Sequence, residues 1–137
     1  MVDHLDMAKR SWNMSRIRGK DTKPEITVRK MLHAAGFRFR LHVKDLPGKP
    51  DIVLPKWKAV IFVHGCFWHR HEGCRDTTTP KTRTEWWLEK FARNVANDIE
   101  KRAALVAAGW KVIVVWECEL TKIEIIKSDL IGRVVND

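Results

Sequence analysis

The chain has no tyrosine, only three cysteines, and no apolar run long enough to span a bilayer. Each shortage narrows the possibilities. A membrane helix needs about 20 consecutive apolar residues, so none is expected. The opening MVDHLDMAKR lacks the apolar stretch of an export signal. The chain is therefore expected in the cytoplasm, and three irregularly spaced cysteines do not make a secreted disulfide framework. Acidic residues are also scarce, 17 against 26 Lys plus Arg, which leaves a net charge of +9. That excess fits a nucleic-acid partner, although many basic proteins never touch one. The absent tyrosine is offset by seven tryptophans, several placed beside charged residues rather than inside apolar runs. A length of 137 residues suits one domain with a real core.

The periodicity gives the organisation. Residues 1–20, with AKRSWNMSRIRGK, are basic and aperiodic. Charge alone reads them as a solvated tail or arm, leaving 21–137 as the single domain. TKPEITVRKMLHAAG is marked as a helix by Thr22 as N-cap, Pro24 in the first turn, Glu25 completing a capping box and Gly36 at the end. Ile26, Val28, Met31, Leu32 and Ala35 fall near one face of it. FRFRLHV alternates as a half-buried strand, with Arg38, Arg40 and His42 turned outward. LPGKP is a turn, and DIVL and KAVIFV are short strands, the second so apolar that it belongs in the sheet centre. Residues 75–83 are loop. TEWWLEKFARNVANDIEKRAALVAAG predicts one long helix ended by Gly109, its buried face formed by Leu88, Phe91, Val95, Ile99, Ala103 and Val106. WKVIVVWEC is another buried strand, and TKIEIIKSDLIGRVV a last amphipathic helix. The order predicts an α/β domain with a mixed sheet and helices on both faces.

Chemistry concentrates in VHGCFWHRHEGC, residues 63–74, where the central strand ends. Strand ends are a common place for a site in such domains. Cys66, His71 and Cys74 form C-x4-H-x2-C, and Cys118 ends the last strand. Together they make a ligand set for structural Zn²⁺, closed because all four positions are filled. The set requires the strands ending at Val63 and Glu117 to be parallel neighbours. The alternative is reduced cysteines packed as small apolar groups, although two of them sit among Arg, His and Glu. His64 and His69 lie outside that set, and either alone would read as a satisfied loop histidine. Here Asp51, after Pro50 at a strand start, and Glu25 on the first helix supply carboxylates. A Pro-Asp at a strand start resembles the restriction-endonuclease arrangement PD-(D/E)-x-K, whose Asp holds Mg²⁺ against the scissile phosphate. The next strand reads IFVHG, without the expected acid and lysine, so that signature is broken. Phe67-Trp68 and the Trp86-Trp87 pair admit two readings, a satellite core under the loop or a wedge between base pairs.

PGKPDIVLPKWKAVIFVHGCFWHRHEGC, with TRTEWWLEKFARN and GWKVIVVWECEL, resembles the very short patch repair endonucleases, which nick DNA at T:G mismatches. NMSRIRGKDTKPE extends the likeness over nearly the whole chain. The resemblance implies a restriction-endonuclease-like fold and cleavage of one strand 5′ to the thymine left when 5-methylcytosine deaminates. It implies Mg²⁺ at Asp51 and at the backbone carbonyl of Val63, where the family pattern has Thr. His69 becomes the general base, with His64 and Glu25 in the active site. Asn94 and Asp98, one helical turn apart, orient His69 or metal waters. Cys66, His71, Cys74 and Cys118 match the zinc ligands, and Phe67, Trp68 and Trp87 the aromatic wedge. Met14, on an arm that now reads as DNA-contacting, inserts from the minor-groove side, and Trp86 stands where the family has Phe, on a packing position. The implied substrate is double-stranded DNA with a T:G mismatch. A MutL-type mismatch-repair protein and a cytosine-5 DNA methyltransferase are the implied partners, with the chain a nucleoid-associated monomer.

Overall fold

The structure is a computed structural model that describes residues 22–75 and 77–136. The basic arm with Met14 lies outside the described residues. Helix α1 (Lys23–Ala34) starts where Thr22 Oγ1 accepts from the Glu25 N–H and stops before Gly36, at φ +87°. Strand β1 (Arg40–Leu41), β2 (Ile52–Leu54) and β3 (Ala59–His64) follow, the last two joined by a 3₁₀ turn (Pro55–Trp57). A short helix α2 (Cys66–His69) leaves β3, and the long helix α3 (Thr84–Ala107) leads into β4 (Lys111–Trp116). A second 3₁₀ turn (Glu117–Thr121) and helix α4 (Ile123–Val135) complete the described chain. The order along the sheet is β1-β2-β3-β4; the first two pairings are antiparallel and β3–β4 is parallel. Among the described residues no helix is long and apolar enough to cross a membrane.

Alternation along the strands divides the core in two. Ile52, Leu54, Ala59, Ile61, Ile113 and Val115 point to one face, where Val28, Met31 and Leu32 of α1 and Ile126, Leu130 and Val134 of α4 cover them. Val53, Val60 and Phe62 point to the other face, against Leu105 of α3. Both layers hold because the strands place successive side chains on opposite sides.

Three expectations are corrected. FRFRLHV does not form a full strand: only Arg40–Leu41 pairs with β2, because His42 takes a left-handed backbone at φ +50° and ends the extended run. Its ring then turns toward α1 instead of outward. On α1, Ile26 and Ala35 are exposed, and Glu25 takes an inward position on the face of Val28 and Leu32. On α3, Phe91 is buried as expected, but the other inward residues are Trp87, Asn94, Asp98 and Leu105; Leu88, Val95, Ile99, Ala103 and Val106 are exposed, Val95 and Ile99 at the open cavity between the helix and the sheet. The helix has been turned so that a partly polar strip meets the sheet.

Candidate active site

Three clusters meet where β3 ends. The first joins β2 to α1. Asp51, immediately before β2, accepts the Val63 N–H on Oδ2 at 2.7 Å. Burial pushes its carboxyl up to about 6, the Val63 hydrogen bond opposes that rise, and the nearby Glu25 charge adds to it. Glu25 is itself almost fully buried, and its Oε2 accepts from Arg29 Nη2 at 3.2 Å. His42 Nε2 lies 3.9 Å from the same oxygen. One donor atom from each of Glu25, His42 and Asp51 falls within 4.8 Å of the others. A buried and a half-buried carboxylate this close favour a bound cation, and oxygen donors of this kind suit a hard divalent ion.

The second cluster is a histidine pair. The His64 and His69 rings stack at 3.9 Å with 6° between their planes. His69 Nδ1 donates to Asp98 Oδ2 at 2.7 Å, which leaves Nε2 to accept. Burial, reinforced by the charge of His69, lowers His64 to about 4, so its ring stays neutral. Asn94 donates from Nδ2 to the Trp68 carbonyl at 3.2 Å, so it pins the loop backbone, whereas Asp98 hydrogen-bonds the His69 ring. A cavity of about 220 Å³ opens beside the pair, between α3 and the sheet, with Phe62, Val114 and Trp116 in its wall.

The third cluster gathers Cys66, His71, Cys74 and Cys118, whose donor atoms all lie within 4.8 Å of one another. Parallel pairing of β3 with β4 sets Val63 beside Val115 and His64 beside Trp116, which carries Cys118 to the loop. Cys118 Sγ is 3.3 Å from His71 Nδ1, and Cys66 Sγ is 3.7 Å away. Burial pushes the Cys66 thiol up to about 12 and raises Cys118 as well. Three thiols and one imidazole converge on one point, and this donor chemistry fits Zn²⁺. Trp116 stacks on His71 at 4.2 Å and meets His64 edge-on at 5.2 Å, tying the thiol cluster to the histidine pair.

Around this centre lies an aromatic surface. Phe67 touches Trp68, Trp87 and Phe91 at centroid separations of 5.2, 5.7 and 5.1 Å. Phe91 is buried and Phe67, Trp68 and Trp87 are half-buried, so the cluster is rooted in the core and open at its outer edge. Trp86 is exposed, so the packing position expected for it is corrected; it extends the surface at 4.9 Å from Trp87.

Sequence reasoning did not single out Arg29, His42, Arg70 or Trp116. Arg70 staples the loop by donating to the carbonyls of Phe67 and Thr78 and to Thr79 Oγ1. Its guanidinium also lies 3.9 Å from the Phe91 ring centre. The signal for His42 was visible: a histidine on a strand whose neighbours at i−2 and i−4 are arginines invites the question of what it faces.

The chain is similar to known proteins along most of its length. The family model for the DNA mismatch endonuclease Vsr matches residues 2–76. The type II nicking enzyme V.XorIIP of Xanthomonas oryzae is 51% identical over 130 residues, spanning 95% of each chain. V.NmeAIP of Neisseria meningitidis is 47% identical over 137 residues, covering 100% of this chain and 96% of the relative. DNA mismatch endonuclease Vsr of Escherichia coli is 45% identical over 120 residues, 88% of this chain and 76% of the relative. Among solved structures, the catalytic domain of the homing endonuclease I-Bth0305I superposes with a TM-score of 0.56 at 21% identity, over 82% of this chain and 94% of that one. That likeness supports the mixed α/β fold.

Proposed function

The chain belongs to the Vsr family of DNA mismatch endonucleases, and from that premise we propose that it nicks one DNA strand 5′ to a thymine mispaired with guanine. The reading is carried by one observation: the end of β3 and the short helix α2 after it hold the stacked His64–His69 pair on the same turn of chain as Phe67 and Trp68, one residue from Val63, whose N–H binds Asp51. His64, Phe67, Trp68 and His69 thus put reaction and recognition groups within six consecutive residues. Asp51 and the backbone carbonyl of Val63 would hold Mg²⁺, with Glu25 adjacent. Bound there, the ion would neutralise charge developing on the phosphate and lower the pKa of a water.

His69 takes a proton from the attacking water at Nε2, while Asp98 keeps its Nδ1–H in place. His64, neutral and stacked on it, fixes the plane of that ring. Asn94 holds the Trp68 carbonyl, so the aromatic wedge and the base move as one unit. Phe67, Trp68 and Trp87 enter the stack beside the mismatch, assisted by Met14 from the arm. A T:G pair opens more readily than a Watson–Crick pair, which gives discrimination through the energy of distortion. Cys66, His71, Cys74 and Cys118 would hold Zn²⁺ in a closed, structural site that braces the loop. The substrate is double-stranded DNA, the lesion follows from a cytosine-5 methyltransferase, and a MutL-type protein stimulates the monomer.

End-labelled duplexes differing only by T:G or C:G, in several methylation-site contexts and with or without Mg²⁺, test this. A single nick 5′ to the thymine, requiring both mismatch and Mg²⁺, is expected. Equal cutting of the paired duplex would instead place the protein with restriction nucleases.

A further inference from the structure

His42 takes no part in the chemistry described so far, yet its position is unusual. A histidine at φ +50° occupies backbone space that side-chain-bearing residues seldom use, and such positions gather at functional sites. Here the left-handed turn redirects the ring. Continued alternation would send it outward with Arg38 and Arg40; instead it is half-buried against Glu25, and its backbone N–H donates to the Asp51 carbonyl at 3.4 Å. A nitrogen of its ring joins a Glu25 oxygen and an Asp51 oxygen within 4.8 Å. That spacing suits donors around a single ion.

The tautomer is equally informative. Arg29 Nη2 lies 3.1 Å from His42 Nε2, and a guanidinium only donates, so Nε2 carries a lone pair. The same Arg29 nitrogen bonds Glu25 Oε2 at 3.2 Å. A positive group thus already sits between two of the three residues, on the acceptors that a metal ion would use.

We propose that His42 is a nitrogen ligand of the divalent centre, so that the seat formed by Glu25, His42 and Asp51 prefers Mn²⁺ or a similar transition ion to Mg²⁺. The inference rests on the reading that Asp51 anchors a divalent ion. Mg²⁺ keeps oxygen ligands and water, whereas imidazole nitrogen favours the transition metals. Arg29 yields Nε2 when the ion enters and keeps its bond to Glu25.

The test uses the zinc-loaded full chain without DNA, with Mn²⁺ as the probe. Free Mn²⁺ is followed by electron paramagnetic resonance, bound nitrogen by pulsed methods on the same samples, and Mg²⁺ affinity by competition. His42→Asn is the main variant, because asparagine tolerates the left-handed backbone and offers no imidazole; His42→Ala is the second. In wild type, nitrogen modulation on bound Mn²⁺ is expected. Both variants should lose a nitrogen coupling and weaken Mn²⁺ binding by about tenfold, with a smaller change for Mg²⁺. Wild-type Mn²⁺ affinity and an unchanged nitrogen signal in both variants, with binding still lost in Asp51→Asn, would overturn the role of His42 alone. Absence of any Asp51-dependent Mn²⁺ binding would overturn the metal centre as well.

Discussion

The two faces of the sheet are built on opposite rules. The face under α1 and α4 is filled by Ile52, Leu54, Ile61, Ile113, Val115, Leu130 and Val134, all buried and all apolar. The face under α3 holds a smaller apolar group around Val53, Val60, Phe62 and Leu105, then gives way to His64, His69, Asp98 and a cavity. One face stabilises the domain. The other accepts a buried, neutral His64 stacked on the His69–Asp98 pair, while Glu25 of α1 is a buried charged exception on the first face; such arrangements cost stability and are retained where chemistry needs them.

The sharpest way to test that division is to remove Asp51. Asp51→Asn should lower mismatch nicking about 10³-fold, because several kcal/mol of charge stabilisation disappear with the divalent ion. In the metal-free protein the same change should raise stability at neutral pH, since a buried carboxylate pushed up to about 6 is then absent. Activity measured beside thermal unfolding reads both effects. A variant that lost activity only by unfolding would remove the distinction between the faces.

Next in size is a cavity on the opposite face. Leu130 is buried between α4 and the sheet, and Leu130→Ala should cost about 2–5 kcal/mol in denaturant unfolding. Well below its midpoint the variant should nick mismatched DNA at close to the wild-type rate. A large rate loss in fully folded Leu130→Ala would show that the faces are coupled rather than separate.

The pH dependence divides the active face itself. Asp51 is raised from 3.8 to about 6, so the metal-free protein loses its contribution as pH rises through that window, on the order of 3 kcal/mol. His64 is lowered from 6.5 to about 4, so its contribution is lost as pH falls from 6.5 toward 4. Between about 4 and 6 the two oppose each other. Wild type should therefore show a shallow stability profile there. Asp51→Asn should reveal a steep loss on acidification, and His64→Gln should gain stability as the pH falls. Parallel profiles for all three proteins in urea titrations from pH 4 to 7 would contradict the opposition.

Local chemistry in the sequence was enough for some of this arrangement and too little for the rest. The approach of Cys118 to Cys66 was readable because two apolar strands end at matched positions, and parallel pairing then leaves little choice. The left-handed turn at His42 was hidden, since alternation describes an extended chain and cannot announce where it stops. Arg29 and His42 gain meaning only when residues from α1 and the end of β1 meet at 3.1 Å. On α3 the period was read correctly, and Phe91 turns inward as expected, but Leu88, Val95, Ile99, Ala103 and Val106 do not. Periodicity says which residues share a face; which face turns inward is decided by partners elsewhere. Here Asp98 is hydrogen-bonded to His69 and Asn94 to the Trp68 carbonyl, and Val95 and Ile99 are left uncovered at the mouth of the cavity.

That orientation carries the smallest predicted effect, and it separates the two accounts of α3 cleanly. Ile99 is 66% exposed and Leu88 52% exposed, although both were expected in the core. Ile99→Ser removes a large apolar side chain. In a packed core such a loss costs several kcal/mol, whereas on the surface it lies within about 0.5 kcal/mol of wild type. The structure predicts the surface value for Ile99→Ser and for Leu88→Ser. Phe91→Ala, on the inward strip of the same helix, should instead cost about 3–5 kcal/mol. Urea unfolding of the three variants together measures the orientation of α3. A loss above 2 kcal/mol for Ile99→Ser would mean that the strip is covered in solution, and the active face would then be more closely packed than its cavity implies.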